Sequence, residues 1–247
     1  MTSPQGTPDQ TAAATAAPVA LITGVGPGTG TALVRRFAQA GYSVAMIARN
    51  EQRLLALATD IPNTHAFPCD LTHADQRNEV LREINKRCGP VHTLVHNAVG
   101  GAFGDFLTID PDVLAQNFDI NTMALLHLAQ SLAPTMIASG AGNIVATGNT
   151  SAYRGKANFA GFAPTKAAQR ILLESMARRL GPEGVHVAYV AIDAVIDLPW
   201  TRERFPDAAD DDFCQPDDIA QEVLRITEQP RSAWTFNVEI RPFGETW

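Results

Sequence analysis

The stretch Thr23-Gly24-Val25-Gly26-Pro27-Gly28-Thr29-Gly30, "TGVGPGTG", follows the apolar run "PVALIT" and precedes "GTALVRRFAQAG". A buried strand, a glycine-rich turn and an amphipathic helix are thus joined in one unit. Glycines let the backbone turn tightly and approach a pyrophosphate. The helix that follows presents unpaired N–H groups and the positive end of its dipole to that anion. The spacing Gly24, Gly28, Gly30, with Gly26 extra, differs from the ordinary GxGxxG fingerprint. Its position after a first strand gives it meaning.

Outward from this unit the same alternation repeats. "SVAMIA", "THAFPCDL", "VHTLVHNA", "GNIVATG", "GVHVAYVAI" and "AWTFNVEI" read as strands. "EQRLLALATD", "ADQRNEVLREINKRCG" and "QPDDIAQEVLRIT" read as helices, as do 157–180 and 111–138, the latter as one helix or two abutting ones. Short apolar runs alternating with longer helices predict βαβ units. The fold class is α/β, a Rossmann-like doubly wound parallel sheet of about seven strands flanked by helices in a single domain, residues 18–247. Residues 1–17 are expected to be a flexible tail, without the basic and apolar regions of a signal peptide. The acidic stretch 197–215 is the one long irregular segment, which suggests a substrate loop or lid.

Composition narrows the partners. The 247 residues carry a net charge of −7, which argues against nucleic acid or an anionic membrane as the main partner. The cysteines Cys69, Cys88 and Cys214 lack paired or metal-ligand spacing, so reduced thiols in a cytoplasmic protein and no metal site are expected.

Further along the chain come Arg49 and Asn50 in "IARN", Asp70 and Leu71 after the third strand, "LVHNAVG" with Asn97, Asn121 in "FDINTMA", and Lys166 in "NFAGFAPTKAAQR". With Thr23, Gly24, Gly28 and Gly30 matching TGxxxGxG, the chain resembles the short-chain dehydrogenase/reductase family from Pro18 onward. The resemblance implies a nicotinamide cofactor held by Gly24, Gly28, Thr29, Gly30, Arg49, Asn50, Asp70, Leu71, Asn97, Lys166 and Val195. An acid at the end of the second strand would repel a 2′-phosphate. Ala48 and Arg49 stand there instead, and a guanidinium pairs with phosphate, so NADP(H) is favoured over NAD(H).

The chemical half departs from the family. The resemblance implies a tyrosine four residues before the lysine as proton donor, a serine thirteen before that tyrosine, and an asparagine supporting a proton-relaying water. Here Phe162 occupies the tyrosine position and Asn149 the serine position, while Asn121 and Lys166 are kept. The related enoyl reductases place their tyrosine seven residues before the lysine, where Phe159 stands. The Pro-Gly after the sixth strand is Ile192-Asp193. General acid catalysis is worth ~10²–10⁴ in rate, so ordinary ketone reduction through residue 162 is chemically implausible. Tyr153 is the candidate replacement donor, and Tyr189 in the sixth strand reads as packed. The expected activity is reduction of an activated C=C, C=N or carbonyl group of a small, fairly lipophilic substrate. The alternative is a non-catalytic or regulatory NADP(H)-binding protein. Family dimers and tetramers imply a homodimer or homotetramer.

Overall fold

A computed structural model describes residues 17–245. Apart from Ala17, the expected tail lies outside the described residues. In chain order come β1 (Val19–Thr23), α1 (Thr29–Gln39), β2 (Ser43–Ala48), α2 (Glu51–Asp60), β3 (Thr64–Pro68), α3 (Ala74–Cys88) and β4 (Val91–His96). Then follow α4 (Pro111–Phe118), a π-turn (Asp119–Met123), α5 (Ala124–Ser139), β5 (Gly142–Gly148), α6 (Ala163–Leu180) and β6 (Val185–Ile192). The chain continues through β7 (Val195–Ile196), α7 (Pro199–Arg204), β8 (Phe213–Cys214), α8 (Pro216–Thr227) and β9 (Asn237–Ile240).

Seven strands form one sheet in the order β3-β2-β1-β4-β5-β6-β9, with every pairing parallel. Side chains alternate faces along each strand, so both faces need cover. Leu21, Ala45, Ile47 and Leu94 pack in a layer with Ile84, Leu125, Leu128 and Leu173 from α3, α5 and α6. Ala20, Ile22, Val44 and Met46 pack with Leu33, Phe37, Leu54, Ile219 and Val223 from α1, α2 and α8. The chain leaves β1 for β2 on one side, while β4 pairs on the other. The crevice between the carboxyl ends of β1 and β4 is therefore where a ligand of such a sheet sits.

Two expectations need correction and a third, the segment 111–138, is resolved to its two-helix alternative. The long helix expected over 157–180 begins at Ala163. Its first turn carries Pro164, and the preceding backbone is committed elsewhere: Gly104 N–H donates to Asn158 O at 2.8 Å, and Ala160 N–H to Gly104 O at 3.2 Å. The segment 111–138 runs as α4 and α5 joined by the five-residue π-turn. Residues 197–215 are not irregular: α7 and the β7–β8 pair organise them. Arg202 fastens this excursion, with Nε and Nη2 on Asp197 at 2.7 and 2.8 Å and Nη1 on Asp210 at 2.7 Å. Asp197 also accepts from Gln215 Nε2 at 2.9 Å. The two Arg202 bonds and the Gln215 amide hold the Asp197 carboxyl down at about 2.

Candidate active site

The glycine loop leaves β1 with Gly24 at φ +68°, in the left-handed region that disfavours side chains. A Cβ there would lie 2.4 Å from the Ala98 Cα, and one at Gly30 would lie 2.5 Å from the Gly24 carbonyl oxygen. Backbone thus passes backbone so closely that neither position has room for a methyl group. Helix α1 then begins without a side-chain cap and without an acid in its first turn. Its leading N–H groups and dipole suit an anion. Leu198 rests on this loop, since a Cβ at Gly28 would come within 2.4 Å of its Cδ2.

Asn97 locks the floor between β1 and β5. Its Nδ2 donates to Gly24 O at 2.9 Å, and its Oδ1 accepts from Thr147 Oγ1 at 2.9 Å. Beneath it His96 is fully buried, with Nδ1 3.1 Å from Thr23 Oγ1 and Nε2 3.2 Å from Ile120 O. Burial, with the neighbouring Lys166 charge, pushes the imidazole down to about 3. The folded value lies below the unfolded one near 6.5, so the stability held by a neutral His96 is fully present above about pH 6.5 and lost as pH falls toward about 3. His96→Asn is expected to flatten the acid limb of a thermal-melt series across that window by several degrees.

Past the carboxyl end of β2, Asn50 caps α2 by accepting from Arg53 N–H at 2.9 Å, and Arg49 is exposed beside it. Asp70 accepts from Thr72 N–H at 3.0 Å and Thr72 Oγ1 at 2.7 Å. Partial burial raises the Asp70 carboxyl, but these bonds and the nearby His73 and Arg49 charges outweigh it, and the net shift is downward. Leu71 is buried, and its carbonyl accepts from Arg77 Nη1 at 2.6 Å. Val195 is half-buried on β7.

The chemical end is built around α6. Lys166 is 2% exposed, with Nζ 3.1 Å from Gln169 Oε1, 3.4 Å from Thr147 O, and 5.9 Å from the Phe162 ring centroid. Burial pushes its amine down to about 7. Phe162 lies one turn before it, so the two share a face. Phe103, Phe159 and Phe162 form an aromatic wall, with ring centroids 5.0, 5.4 and 6.4 Å apart. Neither tyrosine register contains a hydroxyl.

Asn121 in the π-turn spends its whole carboxamide on positioning. Oδ1 accepts from Gly100 N–H at 3.0 Å, and Nδ2 donates to Gly100 O at 3.0 Å and Thr165 Oγ1 at 2.9 Å. Asn149 follows β5, and its Oδ1 accepts from Ser151 N–H at 3.1 Å, which leaves the NH₂ end as donor. Its backbone is gripped at both ends by the buried Tyr189 hydroxyl, at 3.1 Å each. Burial pushes that phenol up, and Tyr189 is a packing residue, as its place in β6 suggested.

Tyr153 lines a surface pocket together with Phe159 and Ala163. Its hydroxyl donates to Asn237 on β9 at 2.6 Å, its ring lies 5.2 Å from the Arg170 guanidinium, and it is 42% exposed. The hydroxyl of the candidate donor is thus engaged by Asn237 at the sheet edge. The 3-10 turn Thr150–Ala152 ends at Tyr153 and aims it outward. Near the mouth the geometry adds residues that motif spacing did not single out as a group. Thr150 Oγ1 donates to Asp193 at 2.5 Å, and Arg154 reaches the same carboxylate at 3.4 Å. Gln169 beside Lys166 was likewise missed, although its place three residues on, one helical turn away, is a signal.

Comparison with known proteins agrees with this geometry. Residues 18–206 match the short chain dehydrogenase family. An uncharacterized oxidoreductase of Staphylococcus epidermidis is 26% identical over 226 residues, covering 91% of this chain and 96% of that protein. The L-xylulose reductase of Mesocricetus auratus is 31% identical over 169 residues, 68% of each chain. A metagenomic short-chain oxidoreductase solved in complex with NADP superposes with a TM-score of 0.81 at 26% identity, covering 93% of this chain and 99% of that one. The chain belongs to the short-chain dehydrogenase/reductase family and is an oxidoreductase of that type.

Proposed function

We propose that the protein is an NADP(H)-dependent reductase of an activated C=C, C=N or carbonyl group on a small, fairly lipophilic substrate. The observation that carries this is a cofactor-gripping lysine buried against phenylalanine where a proton donor would stand. The residues fit a dinucleotide. The Gly24–Gly30 turn is packed against its own backbone so tightly that only glycine fits at Gly24 and Gly30, and α1 begins uncapped. Amides of Gly28, Thr29 and Gly30 would hold the pyrophosphate. Arg49, Asn50, Asp70 and Leu71 would hold the adenosine, and Asn97, Lys166 and Val195 the nicotinamide riboside. Bound NADP(H) supplies hydride chemistry.

The chain's own residues do the rest. Lys166 orients the ribose. Asn149 offers its NH₂ group to an acceptor oxygen, as polar side chains do in oxyanion holes. The wall of Phe103, Phe159 and Phe162, open to solvent at Phe103, presents an apolar surface that suits an apolar substrate. An iminium carbon becomes a neutral amine on hydride addition and needs no proton at that step. A conjugated acceptor spreads its charge onto an oxygen that Asn149 can bond.

The preference for NADP(H) rests on Arg49, exposed at the end of β2 with no acid at Ala48. Arg49→Ala is expected to weaken NADPH binding about tenfold, measured by fluorescence, and to leave NADH binding within about twofold. NADPH oxidation should then proceed with cyclic imines or enones. Tight NADPH binding with no turnover of any acceptor would instead support the non-catalytic, regulatory reading.

The setting we infer is a reduced cytoplasm, with a small-molecule substrate and a homodimer or homotetramer. It is supported by the three free thiols, the acidic surface and exposed apolar residues such as Met123 and Ile171. Among the described residues no helix is long and apolar enough to cross a membrane.

A further inference from the structure

Gln169 is 0% exposed, in the second turn of α6, and both ends of its carboxamide are engaged. Nε2 donates to the backbone carbonyl of Asn121 at 2.6 Å, and Oε1 accepts from Lys166 Nζ at 3.1 Å. A carbonyl oxygen can only accept, so the orientation of the amide is fixed. The Asn121 carbonyl is reachable because it lies within the π-turn.

We propose that Gln169 is a positioning residue that fills the space between Lys166 and the Asn121 carbonyl, holds the amine toward Phe162, and closes the route by which a water chain could resupply it with protons. A hydroxyl or a water passes a proton by accepting one and releasing another. A primary amide does not do so at useful rates near neutral pH. Lys166 therefore exchanges protons only toward the cofactor and substrate. The other groups facing it do not alter this. Thr147, Asn121 and Phe162 are uncharged, and His96, the titratable neighbour on β4, is neutral. The missing hydroxyl at 162 and the amide at 169 thus act together, and a tyrosine restored at 162 would lack a proton supply. This deepens the proposed reductase reading and rests on it.

The test reads Lys166 directly, by ¹³C NMR titration of labelled lysine in the full chain, with Lys166→Met for assignment. Gln169→Ala admits water, and Gln169→Glu places a carboxylate beside the amine. Each is expected to raise the Lys166 midpoint by at least one pH unit, while the dry, similarly sized Gln169→Met leaves it low. Equal midpoints in all variants, or an equal rise in all three, would overturn the proposal. A second measurement follows the proton path. Phe162→Tyr/Gln169→Ala should reduce a simple ketone at least tenfold faster than Phe162→Tyr alone, and equal rates would contradict the closed path. Absence of hydride transfer in every variant would refute the reductase reading and leave the titration result standing.

Discussion

Lys166→Met is expected to make the protein more stable and catalytically silent. The amine is 2% exposed, and burial holds it near 7 against an unfolded value of 10.5. At pH 7 that difference costs roughly 5 kcal/mol, at about 1.4 kcal/mol per pH unit. The bonds to Thr147 O and Gln169 Oε1 recover part of it, and their loss leaves two acceptors unpaired. A net gain of about 2 kcal/mol remains, read as a melting temperature several degrees higher in the unliganded protein. The sign can be checked against pH. The folded value is depressed, so this group's favourable contribution is present above about 10.5 and lost as pH falls toward about 7. Wild-type stability should therefore decline from pH 10 to 7 more steeply than that of the variant. Turnover should fall by at least 10², because on the proposed reading Lys166 supplies the charged contact to the nicotinamide ribose that Asn97 and Val195 cannot replace. Stability rising while activity vanishes is the pattern of a residue kept for function.

The second large effect is structural. Gly24→Ala places a methyl group 2.4 Å from the Ala98 Cα and 2.5 Å from its nitrogen, at φ +68°. The left-handed conformation costs about 1–2 kcal/mol. The contact is with backbone at the end of β4, which Thr23 and Asn97 hold in place, so it cannot be relieved by a rotamer change. A total of roughly 3–5 kcal/mol is expected, a melting-temperature drop on the order of 10 °C, with loss of dinucleotide binding. Gly41→Ala is the control. Its φ is +88°, but nothing lies within 4 Å of the added Cβ, so only the conformational part, about 1–2 kcal/mol, should appear.

The fold was legible in the sequence because its signals are local. Each strand is a short apolar run, and each helix carries its own period and stop. The glycine-rich turn was legible for the same reason, since Gly24, Gly28 and Gly30 act through backbone shape. What escaped depends on partners far along the chain. Tyr153 is held by Asn237, 84 residues on, and no spacing rule points to that bond. Gln169 has its meaning through the Asn121 carbonyl, exposed by a π-turn that periodicity reads as ordinary helix. The start of α6 at Ala163 reflects the crossing of Gly104 beside Phe159, a contact between loops. The segment 197–215 looked irregular because its order comes from Arg202 and its two aspartates, not from an apolar pattern.

The central claim is that this site transfers hydride without a proton from residue 162. The most direct measurement is a stopped-flow comparison of NADPH oxidation with a cyclic enone or imine and with the saturated ketone of the same ring size. The account predicts turnover of the activated acceptor at least a hundredfold faster than that of the ketone. Comparable rates for the two would contradict it.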